Sequence, residues 1–191
     1  VFNPITLARE SSKKSYQQKK TLSKNISLFK MWNKVSLSFE KLNRLKRECK
    51  KVKIDFICSV FDKESLKKVL KLNPKFIKVA SSDITDLFLL GLIKKSKKKV
   101  ILSTGLSKEF EIKRALKILG KSTIVLHCVS SYPTQDKDLN LLSINYLKEK
   151  LGIKVGYSDH SVGPIAAITA GILGAEIIEK HFTIDKNYSK F

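Results

Sequence analysis

Three histidines, one lysine set among apolar residues and a series of serines are the residues in this chain best placed to do chemistry. His160 closes Gly156-Tyr157-Ser158-Asp159-His160, and His181 lies in Glu179-Lys180-His181-Phe182-Thr183, each following an apolar run. If those runs are neighbouring strands, about 4.8 Å apart, both imidazoles reach one divalent ion. With water and substrate oxygens completing its shell, such an ion acts as a Lewis acid. The same spacing also suits two separately hydrogen-bonded histidines. His127, inside Ile124-Val125-Leu126-His127-Cys128, reads as a satisfied interior histidine.

Lys78 is flanked by Phe76, Ile77, Val79 and Ala80. A lysine buried in such a strand is costly unless it is paired or faces a ligand. Pointing into a lumen, its ammonium would meet an anion, with the hydroxyls of Ser81, Ser103, Ser130 and Ser158 as neutral donors around a phosphate or carboxylate. Each serine alone also fits an ordinary loop cap. Asp83 suits an acid or base, or the cap of a helix over residues 84–94. Tyr132, before Pro133, suits a polar substrate or plain turn packing.

These groups need elements to hold them. Apolar, β-rich runs cover Ile54 to Cys58, Phe76 to Ala80, Val100 to Ser103, Ile124 to Cys128, Val155 to Tyr157 and Ile177 to His181. Their starts are about 22 to 31 residues apart, one strand plus one helix with loops. Between them lie segments with helical spacing. Ser38 is placed to cap a helix burying Phe39, Leu42 and Leu45. Asp62 precedes Leu66-Val69-Leu70, and Ser107 precedes Phe110, Ile112 and Leu116. Leu141 to Leu151 and Pro164 to Leu173 complete the series. The alternation predicts a parallel sheet covered by helices. An open doubly wound sheet would gather its chemistry at one switch point. Here nearly every strand ends in a polar cluster, as the catalytic face of a (β/α)8 TIM barrel requires. Six strands are readable where a barrel has eight, so the expectation is an incomplete barrel over 36–191, an internal piece of a longer protein that is inactive on its own, preceded by an irregular or helical segment over 1–35. Within that segment Asn25 to Trp32 has helical spacing.

Composition narrows the class further. With 42 % hydrophobic and 29 % charged residues the chain is globular, and no apolar run approaches the roughly 20 residues that span a bilayer. Cys49, Cys58 and Cys128 make no disulfide framework, which predicts a reducing cytoplasm. The net charge of +21 raises the possibility of a lysine-rich module for nucleic acid or another polyanion. Only Arg9, Arg44, Arg47 and Arg114 carry guanidinium forks, and no aromatic platform is interleaved with the lysines, so a solvated basic surface is expected instead.

Lys78-Val79-Ala80-Ser81-Ser82-Asp83-Ile84-Thr85, Ile101-Leu102-Ser103-Thr104-Gly105 and His127-Cys128-Val129-Ser130-Ser131-Tyr132-Pro133 occur in order before the two histidine motifs. Together the five motifs resemble the sialic acid synthase family, N-acetylneuraminate synthase and its bacterial relatives, from about Tyr16 to Lys186. The resemblance implies a metal-dependent condensation of phosphoenolpyruvate with an N-acylated aminosugar, N-acetylmannosamine or a diacetamido relative, giving a nine-carbon 2-keto acid and phosphate. It implies that His160 and His181 hold the metal, manganese or else magnesium, and that Ser59, Lys78, Ser81, Ser103, Ser130 and Ser158 surround phosphoenolpyruvate. Asp83 and Tyr132 would face the sugar. It implies a homodimer, with the family's first strands and its C-terminal antifreeze-like domain outside this sequence. Asp83 stands where many members carry Glu, which shortens the reach by one methylene. A phosphoenolpyruvate-dependent aldol synthase acting on a phosphorylated aldose is the enzymatic alternative.

Overall fold

The computed structural model describes residues 36–185 and two short strands, β1 (Ser15–Tyr16) and β2 (Ile26–Ser27), which pair antiparallel. The helical spacing read over Asn25 to Trp32 is thus overturned at Ile26 and Ser27; the rest of that stretch lies outside the described residues.

Residues Ile57–Ser59 and Pro74–His181 form one compact unit. It contains six parallel strands: β3 (Cys58–Ser59), β4 (Phe76–Val79), β5 (Lys99–Ser103), β6 (Ile124–Cys128), β7 (Val155–Asp159) and β8 (Ile178–Lys180). Their order in the sheet is their order in the chain. A doubly wound sheet reverses its strand order at a switch point. This one never reverses, so the six strands wind one way as an arc of a (β/α)8 barrel. Crossovers of fixed hand then put the connecting helices on one face and leave the other face for the lumen.

The strand period of two sorts the side chains. Ile77 and Val79, Val100 and Leu102, and Val125 and Val155 are all at most 4 % exposed. They lie on the helix side, with Leu89, Leu90 and Ile93 of α3 (Leu87–Lys95) and Ile112, Ala115 and Leu119 of α4 (Glu109–Leu119) also in the core. Ile144 and Leu147 of α5 (Ser143–Leu151) and Ala166 and Ala170 of α6 (Ile165–Ile172) are buried too. Alanine at the inner positions of α6 permits the close approach to β7 and β8 that its small-residue composition predicts.

The second compact unit carries α1 (Phe39–Lys51) and α2 (Lys63–Lys71). Ser38 Oγ accepts from Lys41 N–H at 3.3 Å, as its capping position predicts. Asp62 and Ser65 form a reciprocal capping box: Ser65 N–H donates to Asp62 Oδ1 at 2.7 Å, and Asp62 N–H to Ser65 Oγ at 3.1 Å.

Several boundaries differ from the sequence expectation. The first barrel strand is Cys58–Ser59 rather than Ile54 to Cys58, and Ile54 is 60 % exposed. In α1 only Leu42 is buried, and Leu45 is exposed. Lys108, not Ser107, is the N-cap of α4, where Glu111 reaches back to its N–H at 2.7 Å, and Phe110 turns to solvent. Asp83 does not cap the next helix. That cap is Asp86, whose Oδ1 accepts from Leu89 N–H at 2.9 Å, and α3 starts at Leu87.

At Gly156 the neighbouring main chain comes close enough to leave no room for a side chain. A Cβ there would lie 2.5 Å from the Ile177 carbonyl oxygen and 2.7 Å from Leu126 Cδ2. Because the first obstacle is main chain, Gly156→Ala is expected to cost about 2 kcal/mol by pushing β8 from β7. A denaturant midpoint unchanged by the substitution would count against this packing.

Candidate functional site at the strand ends

The polar residues that the pleat keeps off the helix side meet in one connected set. Lys78 is 7 % exposed, and its Nζ donates to Ser103 Oγ at 2.7 Å and to the Val79 carbonyl at 3.2 Å. Glu179 Oε2 stands 3.7 Å from the same Nζ. Ser158 Oγ donates to Glu179 Oε1 at 2.7 Å and lies 3.3 Å from His160 Nε2. A chain of contacts therefore runs from the amine on β4, through the carboxylate on β8, to the first imidazole beyond β7. Burial drives the Lys78 amine below the ordinary lysine range, and Glu179 opposes that shift.

The imidazoles face each other. His160 and His181 have ring centroids 5.5 Å apart, and Tyr132 lies 4.1 Å from His160 and 5.7 Å from His181. His160 Nδ1 lies 2.7 Å from the Val129 carbonyl, which can only accept. Nδ1 is therefore the protonated nitrogen, and in the neutral ring Nε2 keeps its lone pair, the arrangement of a metal-ligating histidine with an oriented outer partner. Ser158, His160, Glu179 and His181 border a cavity of about 130 Å³. Burial, with Cys128 and Glu179 nearby, raises the Tyr132 phenol above its usual range, so it stays a neutral donor.

The remaining sequence candidates fall around this set. Ser59 pairs in register with Lys78. Ser81 Oγ accepts from Gly105 N–H at 2.8 Å and touches Cys128 Sγ at 3.5 Å. Ser130 and Ser81 both crowd the position that a Cβ on Gly105 would take. Asp83 sits in the tight turn Ser81–Asp83 after β4, where Ser82 donates to it at 2.9 Å. His127 is, as expected, an interior residue: its Nε2 lies 2.9 Å from the Leu139 carbonyl, and its ring stacks on Tyr157. Among the described residues no three of His, Cys, Asp and Glu are grouped to hold a metal ion.

Glu179 is the group that sequence reasoning missed. The signal was present, because a residue two before His181 in a strand shares its face and a buried Lys78 demands an anion. One step out of phase, Asp159 and Lys180 form the cross-strand pair that holds β7 to β8. Asp159 is fully buried, and Lys180 Nζ reaches its Oδ2 at 2.5 Å. Ser161 N–H and Oγ–H supply the other oxygen at 2.8 and 2.7 Å. Burial alone would push the Asp159 carboxyl up; the hydrogen bonds of Lys180 and Ser161 outweigh it and hold the carboxyl below its usual range. Its contribution to stability is therefore complete above the unfolded carboxyl range near about pH 4 and is lost as pH falls through the lower folded value. Asp159→Asn is expected to cost about 3 kcal/mol at neutral pH and to flatten the acid side of the stability curve. Urea titrations between about pH 3 and pH 7 check both; an unchanged acid side would exclude Asp159 as its source.

Residues 1–190 match the NeuB family. An N,N'-diacetyllegionaminic acid synthase from Campylobacter jejuni is 39 % identical over 184 residues, covering 93 % of this chain and 55 % of that protein. The crystal structure of an N-acetylneuraminic acid synthetase from Leptospira borgpetersenii, in complex with citrate, superposes with a TM-score of 0.76 at 39 % identity, covering 78 % of this chain and 54 % of that one. A truncated 3-deoxy-D-arabino-heptulosonate 7-phosphate synthase from Thermotoga maritima shares the fold, with a TM-score of 0.63 at 19 % identity. The chain thus spans about half the length of the curated relatives it matches. Five ordered motifs, an unreversed arc of six strands and a family match over nearly its whole length agree: this chain belongs to the NeuB family of sialic-acid-type synthases.

Proposed function

We propose that the protein containing this chain condenses phosphoenolpyruvate with an N-acylated aminosugar, N-acetylmannosamine or a diacetamido relative, and releases phosphate. The observation that carries this reading is the contact chain Lys78–Glu179–Ser158–His160, which ties a buried cation to a facing pair of imidazoles. A small trianionic donor needs the first, and a carbonyl electrophile needs the second. In this reading Lys78, with Ser59, Ser81, Ser103, Ser130 and Ser158, neutralises and orients the phosphate and carboxylate. His160 and His181 hold a divalent cation, manganese or magnesium, which when bound supplies Lewis-acid polarisation of the sugar aldehyde. Tyr132 hydrogen-bonds the sugar, and Asp83 orients the aldehyde or moves a proton at its oxygen. The enol carbon bonds to the aldehyde carbon, water adds to the resulting cation at C2, and C–O cleavage expels phosphate to leave the 2-keto acid. A cytoplasmic homodimer belongs to the same reading.

Two measurements test it. Calorimetric titration of the chain with Mn²⁺ is expected to show one site, lost in both His160→Ala and His181→Ala; ordinary affinity in either variant would remove the metal assignment. Titration with phosphoenolpyruvate, followed by assay of phosphate release on adding N-acetylmannosamine, addresses the substrates. Lys78→Met is expected to weaken phosphoenolpyruvate at least about tenfold, the equivalent of about 1.4 kcal/mol. Failure of the unsubstituted full-length protein containing this chain to bind phosphoenolpyruvate would overturn the reading.

The pH dependence follows from Lys78. Its amine titrates below the ordinary lysine value near about 10.4, so anion affinity falls as pH rises through that lowered value. Glu179→Gln removes the charge that opposes the shift and is expected to move this loss to still lower pH. A profile unmoved by Glu179→Gln would show that the two charges do not interact.

A further inference from the structure

The six strands run parallel, so their first residues gather at the end of the sheet away from the histidines. Phe76 opens β4, Lys99 opens β5, Ile124 opens β6, and Lys154 immediately precedes β7. There a cavity of about 640 Å³ is bordered by Phe76, Lys99, Lys121, Ile124, Lys148 and Lys154, among others. That volume lies within the range of ligand sites, roughly 300–1,000 Å³. Four lysines line it, and among the described residues no aspartate or glutamate does.

Two of the four lysines are partly engaged. Lys148 donates to the Gly174 carbonyl, and Lys154 pairs with Glu176 at 3.3 Å. Lys99 and Lys121 have no carboxylate partner among the described residues. Between the lining residues Ser122 and Ile124 lies Thr123, 1 % exposed, whose Oγ1 is the one buried side-chain polar atom among the described residues without a hydrogen-bond partner.

We infer that this cavity is a second anion site, for a small, multiply phosphorylated ligand. Ammonium groups serve phosphates as point charges. Phe76 is the one aromatic ring in the lining among the described residues, and the Lys75 and Lys99 ammoniums lie 5.8 and 5.9 Å from its centroid, so the lining offers cations rather than a platform of rings for stacking bases. A charge of +21 on the whole chain concentrates such anions at the surface, and the cavity gives them a place to stop.

Calorimetric titration of the full chain with inorganic pyrophosphate, at about 50 mM salt where screening is modest, tests the inference. A saturable site that persists in Lys78→Met is expected. The double variant Lys99→Gln with Lys121→Gln is expected to weaken it at least about tenfold. A charge-matched control on exposed helix faces, Lys95→Gln with Lys117→Gln, is expected to change it less than about twofold. Lys78→Met is likewise expected to leave it in place, which separates this site from the anion site proposed at the histidine end. Equal weakening by both double variants would show diffuse surface attraction, and loss in Lys78→Met would place the anion at the other end of the strands. Absence of saturable binding, or displacement of pyrophosphate by a tighter-binding single-stranded RNA oligonucleotide, would also overturn the inference. Thermal melts of each variant confirm that these exposed substitutions leave the fold intact.

Discussion

The pairing of Asp159 with Lys180 is the constraint on which the site depends. Each of these residues immediately precedes one of the two histidines, and they stand opposite one another in the β7–β8 ladder. The rung before it is Ser158 against Glu179. Successive side chains alternate between faces, so sliding one strand by one residue would send every group on it to the wrong side. A buried carboxylate with a single cationic partner penalises that slip heavily, because the slipped state strands a charge in the interior. The two imidazoles thus meet across the cavity because the residues one step out of phase cannot pair in any other register.

The lumen is built on the same economy of position. Lys78 occupies one place in a strand otherwise given to core residues, and its neighbours Ile77 and Val79 are completely buried. The cost of holding an amine there is met by Ser103, the Val79 carbonyl and the Glu179 carboxylate, each from a different part of the backbone. These partners offset part of the burial that still disfavours the charged amine. Ser158 links this region to His160, bonding Glu179 on one side and lying 3.3 Å from the imidazole Nε2 on the other.

Much of this was legible in the residue order. The beat of strand and helix announced the parallel sheet, and polar clusters at successive strand ends separated a barrel from a doubly wound sheet. Lys78 stood out as a charge with no business in a core strand, and His160 and His181 as neighbours one strand apart. Glu179 and the Asp159–Lys180 rung were not legible in the same way. Their meaning depends on which residues face each other across two strands, and no local pattern encodes register. The first strand was misplaced because Ile54, Phe56, Ile57 and Cys58 are all apolar around the single charge of Asp55, and such a run does not say which of its members will pair. Phe110 and Leu45 have helical spacing but sit just off the buried stripe, a rotation too small for spacing alone to resolve. Asp83 and Asp86 are both plausible caps by type, and only the start of α3 at Leu87 decides between them.

The carboxylate facing Lys78 has one more effect. Because Glu179 already answers the ammonium, the resting lumen is close to electrically neutral, and an incoming anion must outcompete a tethered acid that never diffuses away. A monovalent ion such as chloride or acetate brings no more charge than the resident group and gains little by replacing it. A ligand bearing both a carboxylate and a phosphate brings more and can evict it. Under the proposed reading, this tethered acid makes the valence of an arriving anion, more than its concentration, decide which one displaces it.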